Sequence, residues 1–339
     1  MTPAPLHSFH FPTCELIAAM TDRREFIGLV SASAVGLAMT GNSEAASAAE
    51  VDFTNKKSPV RFALNMSTLR GHNLTITQQI EVAAKAGYDG VEPWIRDLEA
   101  YVKKGGNVAD LRKQIEDAGM TVDSAIGFAQ WINDDAEQRK AGLEVARRDM
   151  ELIRSIGGAM IAAPPIGAHQ KDAISPPLPV IAQRYRALLE VGDEIGVTPQ
   201  LELWGFSPTI SKLGELVYVA TAAEHPKACV LPDFYHIYKG GSDFAGLGMI
   251  EASRMHCFHI NDYPSEPSQR DISDKDRVFP GDGVCPLVPT IRQLLDNGFR
   301  GTFSLELFNP EYWKRDALEV AREGLEKSKR VVADAIAQA

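Results

Sequence analysis

The sequence is short of cysteine, of positive charge and of long apolar runs, and each shortage removes a class of protein. Its 339 residues carry four cysteines, Cys14, Cys229, Cys257 and Cys285, with no CxxC pair. No disulfide framework can be drawn from that spacing. Cys229 and Cys257 instead open apolar runs, where a free thiol packs as a small hydrophobe. The formal net charge is −10 and no basic cluster offsets it, which excludes nucleic acid and anionic membrane surfaces as partners. The apolar stretch from Phe26 to about Thr40 is too short, and too rich in glycine and serine, to cross a membrane stably. No cysteine follows it directly, so a lipoprotein anchor is excluded as well. No glycine-rich phosphate fingerprint follows the first strand-like run, which argues against a doubly wound nucleotide fold. The absence of any phosphate motif favours a non-phosphorylated ligand.

What is present begins with an address. Met20 offers a second start. After it come Asp22-Arg23-Arg24-Glu25-Phe26-Ile27, a mildly apolar run, and the small residues Ala46-Ser47-Ala48. A charged start, an apolar centre and an A-x-A site describe an export signal. The paired arginines before Phe26 and Ile27 resemble the twin-arginine type, so residues 1–58 read as signal and linker, and the protein as exported to the periplasm.

Residues 59–339 have ordinary globular character, and from Val60 they alternate strand-like and helix-like segments. Strands are expected at Val60–Met66, Gly90–Trp94, Thr121–Phe128, Ala159–Pro164, Pro199–Phe206, Ala228–Asp233, His256–Asp262 and Thr302–Phe308. Helices are expected at Thr75–Ala86, Val108–Ala118, Ala136–Ile156, Leu178–Ile195, Ile210–Glu224, Phe244–Ser253, Leu287–Asn297 and Glu311–Ala337. The strands are apolar throughout, as parallel strands covered on both faces should be. The joints AGYDGVEPW and NGFRGTFSLELF repeat one helix–glycine–aromatic–strand pattern. Eight strand–helix units of this size predict a single α/β domain, a (β/α)8 TIM barrel.

Active sites in that architecture sit where the strands end. Four successive strands end in residues able to hold a metal: Glu202 in LELW, Asp233 in LPDFYH, His259 in HIND and Glu306 in LEL. His236 follows Asp233 by three residues, and Asp262 follows His259 by three. Carboxylate oxygen with imidazole nitrogen suits one divalent ion, whether Mn, Co, Mg or Zn. Glutamates flanked by leucine would be costly to bury without a cation. Glu202 and Glu306, on non-neighbouring strands, suit the removal and return of a proton beside a carbonyl while a metal steadies the oxyanion. The long connection Pro264–Pro286 contains Arg277 and is a candidate lid.

These motifs resemble the xylose-isomerase-like TIM barrels, in the branch of sugar isomerases and epimerases, from Val60 to about Ala321. The resemblance implies one divalent metal on Glu202, Asp233, His259 and Glu306, and His236 on a substrate oxygen. Arg277-Val278-Phe279-Pro280-Gly281-Asp282-Gly283 looks like the epimerases' Arg-x-x-Pro-Gly-x-Gly, which implies Arg277 as a substrate contact, although the loop before it is longer here. Glu92, ending the second strand, and His169, after the fourth, are further candidates for substrate hydroxyls. Trp94, Trp131, Trp204 and His72 also follow strand ends. The reading is a metal-dependent isomerase or epimerase of a sugar or keto-polyol. Its competitors are a lyase acting on an inosose or 3-keto-sugar, an apurinic endonuclease and a non-catalytic sugar-binding barrel. The endonuclease reading needs further histidines on strands two and three, which VEPW and DSAIGFAQW do not supply. The long C-terminal helix of mixed charge offers a surface for a homo-oligomer.

Overall fold

The computed structural model describes residues 58–337. The export-signal reading therefore lies, but for its last residue, outside the described residues. Eight strands follow in order: β1 (Arg61–Asn65), β2 (Gly90–Glu92), β3 (Thr121–Val122), β4 (Met160–Ala163), β5 (Thr198–Glu202), β6 (Val230–Leu231), β7 (Cys257–Ile260) and β8 (Thr302–Leu305). All their pairings are parallel, in two ladders, β3-β2-β1-β8-β7 and β4-β5-β6. Single bridges close the hoop: Ile126 with Ala162 on one side, Val230 with Met255 and Asp233 with His259 on the other. The result is the TIM barrel expected from the apolar runs. It places every strand's C-terminal end at one mouth.

The helices on the outside are α1 (Ile76–Ala86), α2 (Ile95–Lys103), α3 (Val108–Asp117), α4 (Ala136–Ser155), α5 (Leu178–Ile195), α6 (Leu213–Ala222), α7 (Phe234–Gly240), α8 (Leu287–Asp296) and α9 (Ala317–Ala337). Thr75 and Gln78 form a reciprocal capping box at the start of α1, and Gly87 in the left-handed region ends it. Several boundaries differ from expectation for local reasons. α6 starts three residues late because Ile210 has a φ of 56°. The helix expected over Phe244–Ser253 is two 3-10 turns, Phe244–Met249 and Ala252–Arg254, in a segment interrupted by Gly246 and Gly248. α9 starts at Ala317, where the Asp316 carboxylate accepts from the Leu318 and Glu319 amides.

Phe234, Phe258, Phe299 and Phe303 fill one side of the core, with Phe234 and Phe258 centroids 4.6 Å apart. This packing lies beneath β6–β8 and holds the ends of those strands in fixed register.

Candidate active site

β7 delivers His259 to the centre of the mouth, where it is fully buried. Its two ring nitrogens face different surroundings. Nε2 lies 3.1 and 3.3 Å from the two oxygens of Glu92. Glu92 Oε2 also accepts from Asn65 Nδ2 at 2.8 Å and Ser304 Oγ at 2.6 Å. Burial alone would raise the Glu92 pKa, but the His259 charge and the hydrogen bonds from His259 and Ser304 bring it below the usual carboxylate value. Glu92 is therefore an ionised acceptor that keeps a proton on Nε2. Burial opposes a charge on His259, but Glu306, Glu92 and Asp233 outweigh it and hold its pKa well above the ordinary value, so without a cation the ring is an imidazolium and a bound cation would take the place of the proton on Nδ1.

Glu92 was expected as a contact for a substrate hydroxyl, and the structure places it beneath the mouth. The side chain is fully buried and turned under His259, with both oxygens engaged inside the barrel.

Nδ1 faces the other carboxylates: Glu306 Oε2 at 3.3 Å, Asp233 Oδ2 at 3.5 Å and Glu202 Oε1 at 3.7 Å. Asp233, His259 and Glu306 each offer one ligand atom within 4.8 Å of the others. Asp233 caps α7 by accepting from the His236 amide at 2.8 Å, and Asn261 Nδ2 donates to its Oδ2 at 3.1 Å. The DFYH motif is thus a strand end turning directly into a helix.

Arg277 is the largest charged group in the mouth and is buried. Nη1 donates to Glu306 Oε2 at 2.8 Å and Asp233 Oδ2 at 3.0 Å, while Nη2 reaches His236 Nε2 at 3.1 Å and pairs with Asp274. Burial opposes the Asp233 charge, but Arg277 and His259 outweigh it and hold its pKa far below the usual range. A guanidinium can only donate, so His236 Nε2 must accept. Burial lowers the His236 pKa, so the ring is neutral and its proton sits on Nδ1. That nitrogen is buried without a hydrogen-bond partner.

The donor set fits a divalent cation on two grounds. Glu92, Glu202, Asp233 and Glu306 are all buried around one histidine, and among the described residues Arg277 is the only permanent positive charge touching them. Burial, with Glu306 and Asp233 adding repulsion against the pull of His259, pushes Glu202 up to about 8. Glu202 Oε2 and His259 Nδ1 also lack hydrogen-bond partners while buried, the state expected of ligand atoms before a cation satisfies them. The second grouping, Glu92–Cys257–His259, is a poorer site. Glu92 is already saturated, and burial raises the Cys257 thiol well above its ordinary value.

An aromatic wall lines the rim: Phe308, Trp94, Phe128, Trp204 and Phe206, with successive centroids 5.1–6.4 Å apart, ending 5.6 Å from the His236 ring. Phe128 and Phe206 are open to solvent. His169 stands edge-on to Trp204 at 5.6 Å and joins this wall, apart from the carboxylates. Trp131 is buried away from the mouth, donating to the Pro164 carbonyl. His72 bonds the carbonyls of Leu69 and Arg315. Asn65 was not anticipated, yet it links Trp94 Nε1, Glu92 and Glu306.

The family profile described as xylose isomerase-like TIM barrel matches residues 80–331. The chain belongs to that family. Proteins similar to this chain include the inosose isomerase of Bacillus velezensis, 25% identical over 267 residues, covering 78% of this chain and 94% of that protein. The 3-dehydroshikimate dehydratase of Pseudomonas putida is 23% identical over 252 residues, covering 74% of this chain and 39% of that protein. Among solved structures, the IolI protein with a zinc atom superposes with a TM-score of 0.73 at 22% identity, covering 81% of this chain and 98% of that one. Within the xylose isomerase-like family these identities support a shared fold and leave the substrate open.

Proposed function

We propose that the protein is an enzyme that isomerises or epimerises a non-phosphorylated sugar or keto-polyol with the help of one divalent metal ion, by moving a proton beside a carbonyl. The observation that carries this reading is that Glu202 and Glu306, from the non-adjacent strands β5 and β8, both approach the same His259 nitrogen. Glu202, Asp233, His259 and Glu306 are the residues that would hold the ion. When bound, it would act as a Lewis acid toward the carbonyl and offset charge developing on oxygen. One glutamate takes the proton from carbon and the other returns one, giving an enediolate between the two steps. The neutral His236 ring donates its Nδ1 proton toward a substrate oxygen, and Arg277 keeps that ring in the donating tautomer. Sugar faces stack on aromatic rings, which gives Trp94, Trp204 and Phe206 a role at the rim. His169 extends that wall.

The test is isotopic. Turnover in deuterated water should place deuterium on the carbon next to the carbonyl. Glu306→Gln should reduce that exchange about 100- to 10,000-fold, the usual share of a positioned base. Turnover that carries the substrate's own hydrogen across, with no solvent label, would refute proton transfer.

The similarity to a dehydratase supports a second reading, a lyase in which the same base is followed by loss of a β-hydroxyl. A product lighter by one water would select it. A trinuclear endonuclease is disfavoured, because His259 is the sole histidine in the metal-competent groups among the described residues. The pair Arg23-Arg24 supports the further proposal that the protein is exported by a twin-arginine route to the periplasm.

A further inference from the structure

Asp262 lies three residues beyond His259 and takes no part in the chemistry above, yet it is buried and its carboxylate is saturated. Oδ1 accepts from the amides of Tyr263 at 2.8 Å and Cys285 at 2.9 Å. Oδ2 accepts from Gly281 at 2.9 Å and Gly283 at 3.1 Å. The Asp262 backbone also pairs with Val278 in both directions, at 3.0 and 2.9 Å. One residue therefore grips the excursion between Pro264 and Pro286 at two places. The first is the residue directly after Arg277, and the second is the glycine turn beyond it.

The turn is shaped for this grip. Gly281 has a φ of +87°, which glycine adopts without strain. A Cβ on Gly283 would collide with the Tyr263 carbonyl and the Asp262 carboxylate. The loop is packed down, with Ile272, Arg277 and Phe279 all buried. Asn309 adds one donor to the Arg277 carbonyl at 3.0 Å from the other side.

We propose that Asp262 is the positioning residue for Arg277. Its carboxylate ties the loop to the end of β7, so that the guanidinium lies on Asp233, Glu306 and His236. A carboxylate is required because all four groups facing it are donors. An amide of the same shape would turn its own N–H bonds toward two of them. The kinetic part of this inference rests on Arg277 holding His236 as a donor to substrate, as proposed above; the positional part does not.

Asp262→Asn tests both parts. Without substrate, hydrogen exchange at the Gly281, Gly283 and Cys285 amides should accelerate. Arg277, shielded in the parent, should become reactive to phenylglyoxal, as mapped by mass spectrometry. With substrate, KM should rise more than kcat falls, and kcat/KM should drop about 100-fold, the scale of a misplaced positioning group. In an Arg277→Ala background the same substitution should change kcat/KM by no more than about twofold, because the two residues act as one unit. If Asp262→Asn does not fold, Gly283→Ala is put through the same series, since it displaces the turn and leaves the carboxylate in place. Loosened amides with Arg277 still unreactive would overturn the proposal, as would effects of Asp262→Asn and Arg277→Ala that simply multiply. If the parent turns over no sugar or keto-polyol, the function reading fails, while the exchange and labelling results still decide the positioning.

Discussion

Replacing Glu92 by glutamine is the sharpest single perturbation of the proposed metal site, because it changes charge without changing shape. The Glu92 carboxylate takes contacts from His259 Nε2, Asn65 Nδ2 and Ser304 Oγ, with all three approaching Oε2. A glutamine whose oxygen sits at that position keeps all three partners. What is lost is the charge assistance, about 1 kcal/mol for each of the three hydrogen bonds that becomes neutral, offset by no longer burying a carboxylate charge. The cation-free fold should therefore melt close to the parent. Metal affinity should respond far more, since an imidazole without its carboxylate partner is a weaker ligand. Removing such a partner costs about 10- to 100-fold, or roughly 1.4 to 2.8 kcal/mol. The assay is calorimetric titration with a divalent cation, or competition with a chelator, beside a melt of the cation-free protein. Glu92→Ala is the less informative variant. It abandons three buried donors at about 1–3 kcal/mol each and confuses folding with binding. A glutamine variant that binds the cation within about twofold of the parent would refute the claim that Glu92 sets the basicity of His259.

Two further outcomes are expected. Burial, with Glu99 adding to it against Arg148, pushes the pKa of Asp149 on α4 up to about 7. The folded state then holds that proton more tightly than the unfolded chain, so stability falls as pH rises from about 4 to 7. Asp149→Asn should match the parent near pH 4 and exceed it by about 4 kcal/mol at pH 8. A pH-independent difference in urea melts would exclude this. For export, replacing Arg23 and Arg24 together by lysine should leave the precursor in the cytoplasm, as fractionation would show, and undiminished secretion would end the twin-arginine reading.

The barrel was legible because parallel strands covered on both faces must be apolar, and eight such runs stand out from Val60 onward. Glu202, Asp233, His259 and Glu306 were visible for the same reason, as polar residues closing apolar runs. What the pattern did not carry was the use of residues whose partners come from elsewhere in the chain. Glu92 ends its strand in the same way, but its role depends on Asn65, His259 and Ser304, which are brought close only by the closed sheet. α7 escaped notice because seven residues rich in aromatics, begun by Asp233 and ended at Gly241, are too few to show a helical period. α2 follows Trp94, where a strand–helix junction without a side-chain cap left no start signal. Asp262 was noted only as part of a motif, since backbone amides 19 to 23 residues away leave no trace in composition.

The hoop of strands is thin where β6 meets β7, and there the ladder is carried by two isolated bridges, one of them Asp233 with His259. Those two residues are also neighbours in the proposed ligand set, so a cation shared between them would act as a stitch across the seam. Occupancy would then be felt as mechanical closure of the whole ring.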